Sequence, residues 1–128
     1  MTKWAHADVL DNGINYIKTN CNKVILVNAY TANDTYATVT GGTVLLAEAT
    51  MASGDFALAG ASGAARTLTT TSKSDTAANL TGTASHVCFV DTVASKVLWV
   101  TNETTGQSIT LGNPVTFPSL VYTVSQPN

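Results

Sequence analysis

Charge is what this sequence has least of. Six basic and eight acidic residues make up 11% of its 128 positions, less than half the ~25% of an ordinary globular protein. A monomer living alone in a crowded cytoplasm keeps many charges for solubility. A surface this weakly ionised is therefore expected to be covered in part by other subunits. Ion networks of the thermophilic kind are excluded, because there are too few ions to build them. The six bases, Lys3, Lys18, Lys23, Arg66, Lys73 and Lys96, do not cluster, and counterion release from a nucleic acid needs clusters. Nucleic acid is not an expected partner.

Cysteine is scarce too. Cys21 and Cys88 are too few for a disulfide framework and form no C-x-x-C pair. Two buried small hydrophobes are the expectation. No apolar run approaches the ~18 residues of a membrane span, so no membrane partner is expected. The opening "MTKWAHADVLDNG" lacks the apolar stretch of a secretory signal. A protein made and kept in a reducing cytoplasm, or assembled there into something larger, is expected, and the sequons at Asn33, Asn79 and Asn102 then carry no meaning.

What remains is apolar and small. Apolar residues reach 45%, enough to exclude a disordered chain; threonine, alanine, glycine and serine take the place of charge. A chain of this length is one domain, residues 1–128, with an arm and helix over 1–22 and strands over 23–128. In "ADVLDNGINYIKTNC" the residues Leu10, Ile14 and Ile17 recur at helical spacing, with Asp11, Asn15 and Lys18 on other faces. Asp8 is positioned to cap this helix, Asp11 favours its positive end, and Gly13 costs it ~1 kcal/mol against alanine.

Beyond Lys23 the pattern reads as strands. "KVILVNAY" is a β-branched run of the buried kind, and Gly41-Gly42 between threonine- and valine-rich flanks predicts a hairpin turn. "DFALAG" and Arg66–Thr71 are short strands, followed by a long mobile loop through Ala84. Four more strands follow, at His86–Val90, Lys96–Thr101, Gln107–Leu111 and Ser119–Ser125. Short strands at spacings near ten residues predict a mainly β fold, an antiparallel β-sandwich of jelly-roll or immunoglobulin-like form with one N-terminal α-helix.

"SHVCFVDTVASKVLWV" holds the residues that look reactive. On a strand His86 and Cys88 share a face and could reach a zinc ion with His6 and Cys21. Structural zinc needs four such ligands to converge. The competing reading is a half-buried strand paired with Lys96–Thr101 across the turn "DTVAS", with Trp99 packed on one face, and it is the reading adopted. "GASGA" at 60–64 departs from the G-x-S-x-G elbow at Ala64 and lacks its strand-to-helix setting, so a Ser62/His86/Asp91 triad has no support. Eight carboxylates without a close pair give glycosidase chemistry none either, and no phosphate-cradling glycine loop occurs. No enzyme, cofactor or metal is expected. Partner contacts are expected at Lys3, Trp4 and His6 on the arm, where an aromatic can act as an anchor or else as a hydrophobic staple or cap over the sandwich's open end, and at Tyr30 and Tyr36.

The strings "KWAHADVLDNGINYIKTNCNKVILVNAY" and "TGTASHVCFVDTVASKVLWVT" together resemble a family of small virion structural proteins of tailed bacteriophages. They cover somewhat under half of the chain, and they are structural rather than chemical. The resemblance implies a role without a mechanism: a capsid cement or decoration protein, a dimer or trimer, clamping the major capsid protein at the virion surface. A head–tail junction, tail or fibre-attachment component is the alternative it leaves open, with a small binding module as a further one.

Overall fold

The computed structural model describes residues 7–61, 63–102 and 106–126, with side chains from Leu10 onward. It is mainly β, with antiparallel sheets and one N-terminal helix, the class the sequence predicts. Helix α1 runs Ala7–Asn20, and its stripe of Leu10, Ile14 and Ile17 is buried. With Ala7 already in α1, Asp8 stands inside the helix and not at its cap. Asp11 is engaged elsewhere: its carboxylate accepts from Arg66 Nε at 2.8 Å and Nη2 at 3.1 Å. That fork holds the helix to the strand on which Arg66 lies.

The first sheet is built on β1, Lys23–Val27, which explains its unbroken apolar run. Val24, Ile25, Leu26 and Val27 are each no more than 2% exposed, so β1 is covered on both faces. It sits between β2 (Leu45–Thr50) and β7 (His86–Asp91), with β8 (Lys96–Asn102) at the far edge. All three pairings are antiparallel. The second sheet has the order β11 (Val121–Val124), β4 (Arg66–Thr70) and β3 (Phe56–Ala59). Two smaller ladders join β5 (Lys73–Asp75) to β10 (Val115–Phe117), and β6 (Gly82–Thr83) to β9 (Ser108–Ile109).

One core lies between the layers. Val24, Leu26, Val87, Phe89 and Trp99 from the first sheet meet Phe56 and Leu68 from the second, with Ile14 and Ile17 of α1 filling in. A smaller cluster of Ile25, Val27, Val39, Leu45, Cys88 and Val90 covers the opposite face of the first sheet. The two sheets do not close on each other. On one side β8 and β11 remain edges.

Two expectations fail here. Residues read as the first arm of a hairpin form a short helix, α2 (Tyr36–Val39), capped by Thr35 Oγ1, which accepts from Thr38 N at 3.3 Å. Gly41-Gly42 accordingly leads out of α2 into β2 rather than turning a hairpin, with Val44 N and Leu45 N both donating to Gly41 O. Local capping chemistry outweighs the strand propensity of threonine and valine in a segment too short to show a period. The stretch through Ala84 is likewise no long loop, for it contains β5 and β6. Ala78 and Ala84 are buried at 3% and 1%, and Asp75 accepts from Glu48 N and Ala77 N. The hairpin of β7 and β8 is as expected, with one β-bulge: Phe89 opposes Trp99 but Val90 opposes Val97, leaving Leu98 as the extra residue.

Candidate interaction surface

At the open side of the sandwich, α1, β8 and β11 enclose a trough of about 550 Å³ lined by Asn12, Gly13, Tyr16, Leu98, Tyr122 and Val124. The helix contributes its second face. Gly13 and Tyr16 stand one turn apart and off the core stripe, and a Cβ at Gly13 would meet nothing within 4 Å. The glycine therefore leaves a flat place on the helix beside the trough. From the strands, the bulge turns Leu98 towards this space, and β11 supplies Tyr122 and Val124.

An aromatic file runs from the core to this surface. Phe56 meets Phe89 edge-on at 6.3 Å, Phe89 stacks on Trp99 at 4.4 Å, and Trp99 meets Tyr122 edge-on at 5.3 Å. Edge-to-face and offset contacts of this kind fix ring orientation, so Tyr122 is held while still 37% exposed. Tyr16, 45% exposed, lines the same trough. A few pre-positioned aromatics on an apolar surface are what a protein partner requires of a contact site.

A second, more polar depression of about 520 Å³ shares Tyr16 and continues past Asn20, Asn22, Met51 and Ser53 to Asp91 and Val93. Its geometry comes from a clamp. Asn22 Nδ2 donates to Thr92 Oγ1 at 2.7 Å while Asn22 Oδ1 accepts from Thr92 N at 2.9 Å, tying the exit of α1 to the tip of the β7–β8 hairpin. Val93 at that tip is almost fully exposed.

The reactive-looking residues are occupied structurally. Cys21 lies in the main core and Cys88 in the cluster across the first sheet, so a sheet separates two of the four residues weighed for zinc. Burial pushes the Cys21 thiol up to about 11 and the Cys88 thiol up to about 12. Both stay protonated at neutral pH and are poor nucleophiles and poor ligands. His86 Nδ1 is 2.9 Å from Ser85 Oγ, and its ring lies 5.5 Å from that of Tyr30. Asp91 closes the hairpin turn by accepting from Val93 N and Ala94 N. It lies five residues along the strand from His86 and so on the other face. Among the described residues, no three of His, Cys, Asp and Glu group as metal ligands would. Gly60 and Gly63 adopt φ of +126° and +82°, serving a turn; Ser62 lies outside the described residues.

Of the expected contact residues, Lys3, Trp4 and His6 lie outside the described residues. Tyr30 and Tyr36 are half-buried and pack against the cluster around Val39 and Cys88, away from the trough. The trough residues themselves carried no sequence signal, since they come from α1, β8 and β11 and only the fold assembles them. The one available hint was Tyr16, an aromatic off the helical core stripe. Set against known families, curated proteins and solved structures, the chain matches none.

Proposed function

We propose that this protein is a non-enzymatic structural component of a tailed-bacteriophage virion, a capsid cement or decoration protein that bridges major capsid subunits. The observation carrying this reading is the aromatic trough of Tyr16, Leu98 and Tyr122 on a molecule with only 14 formally charged side chains, six basic and eight acidic. An apolar, pre-positioned seam favours contact with other protein surfaces. Scarce charge lowers the desolvation cost of crowding many copies together. The phage-like strings of the sequence point the same way.

The physical logic is cumulative. A contact of ~1,000–2,000 Å² per copy is modest by itself, but many copies on a repeating lattice act together. A shell under internal pressure is then held by numbers instead of by individual affinity.

Counting copies in purified particles tests this. Hundreds of copies on the outer surface are expected. A handful at one vertex overturns the cement role in favour of a head–tail or tail component. Re-addition to stripped shells gives the second check: saturable binding that Tyr122→Ser weakens about tenfold or more is expected.

A further inference from the structure

The four outer strand edges of the two sheets are not treated alike. On β2, Glu48 N donates to Asp75 Oδ2 at 3.0 Å and Leu46 O accepts from Asn79 N at 2.7 Å. Its outer groups are therefore used. On β3, Phe56 O accepts from Lys18 Nζ at 2.8 Å, with α1 packed alongside. On β8 the backbone bonds only to β7, and on β11 only to β4, among the described residues. Proteins commonly blunt free edges with covering segments or charge. Among the described residues two edges are covered, and the two left open are those that flank the aromatic trough.

We infer that β8 is a strand-addition edge, and that its occupant is β8 of a second copy, antiparallel about a two-fold axis. The two four-stranded sheets then become one sheet of eight, and Tyr16 and Tyr122 of each copy close over the join. The role of the trough in this assembly rests on the structural reading above; the edge geometry does not.

Three features favour a second copy. Lys96 is the only charge on β8, and Val97 to Asn102 are neutral. Antiparallel pairing sets the two Lys96 at opposite ends of a strand ~24 Å long, well beyond the ~8 Å screening length, whereas parallel pairing stacks them. The chain's net charge of −2 opposes self-association little. The half-exposed tyrosines, the other trough residues and the strand edge offer on the order of 500 Å² per copy, the half-share of a ~1,000 Å² interface. An isologous pairing also makes every contact twice. The bulge at Leu98 bends the start of the strand, so Trp99–Asn102 forms the regular part of the join.

Sedimentation of the full-length chain over a wide concentration range, together with amide hydrogen exchange, decides the matter. Dimers are expected, with β8 amides gaining protection as concentration rises. Thr101→Lys places like charges near the axis and is expected to weaken the dimer about tenfold or more, with the melting transition of dilute protein retained. The exchange pattern of the unaltered protein serves if that variant does not fold. A chain that stays monomeric at the highest concentration, or dimers whose protection falls elsewhere than β8, overturns the inference. A monomer that still decorates shells overturns self-pairing and leaves the virion reading standing. A β8 dimer that ignores shells does the reverse.

Discussion

Trp99 is the residue on which the two halves of the molecule meet. It stacks on Phe89 below and carries Tyr122 above, and it is only 9% exposed. Trp99→Ala is expected to cost about 3–5 kcal/mol, the range for deleting a buried aromatic, measured by denaturant unfolding. Tyr122→Ser removes a half-exposed ring and should leave the same transition within about 1 kcal/mol. The contrast separates the folding role of one ring from the contact role of the next. At the cysteines, thiols held near 11 and 12 in the folded chain should ignore a thiol reagent at pH 8 until the protein is unfolded. Rapid labelling of native protein would show that one of them is reachable and ionised, contrary to its burial.

Between residues and the fold lie the elements, and two of them hang on single side chains. Thr35 caps α2, so Thr35→Ala should cost ~1 kcal/mol and loosen the cover that Tyr36 and Val39 give the first sheet. Asp55 joins the short turn at 53–55 to the second sheet and β5. It accepts from Ala52 N at 2.8 Å and Thr71 Oγ1 at 2.9 Å, and pairs with Lys73 Nζ at 2.9 Å. Its slight burial works to raise its pKa, but Lys73 and the Ala52 and Thr71 donors outweigh that and hold it below the usual carboxylate value. A carboxylate depressed on folding contributes stability above its unfolded pKa and loses it as pH falls through the folded one. Thermal stability should therefore drop below about pH 4, and Asp55→Asn should lie lower at neutral pH and show a smaller acid drop.

Elements also show what was readable in advance. The stripe Leu10, Ile14, Ile17 and the alternation from His86 to Thr101 have enough length for a period to emerge, and α1 and the β7–β8 hairpin follow from them. Tyr36 and Val39 supply only one helical spacing, so nothing distinguishes them from a strand until Thr35 is seen capping. Ala78 and Ala84 are buried, but alanine is equally at home on a surface, so the ordering of 72–84 left no trace. The trough failed to show for a different reason. Tyr16, Leu98 and Tyr122 are remote in sequence, and an edge is exposed only relative to a strand order that no local pattern encodes.

At the scale of the whole molecule, asymmetry is the main property. Among the described residues two outer edges are finished, β2 by Asp75 and Asn79 and β3 by α1 with its Lys18, while β8 and β11 are left open. For a protein so short of charge, an open side is a hazard unless something covers it. Purified protein is therefore expected to be more soluble as an assembled species than as a monomer. Light scattering of Thr101→Lys against the unaltered chain checks this: loss of pairing without loss of solubility would show that the open side is harmless.

The placement of β1 carries a consequence in time. Ile25 pairs with Glu48 on one flank and with Cys88 on the other, so the centre of the first sheet cannot be completed until most of the chain has been made. A nascent chain must carry its most apolar strand with one flank empty throughout that interval, and such distant pairing is intrinsically slow to form. Chains released from the ribosome before His86 should therefore fail to fold and clump.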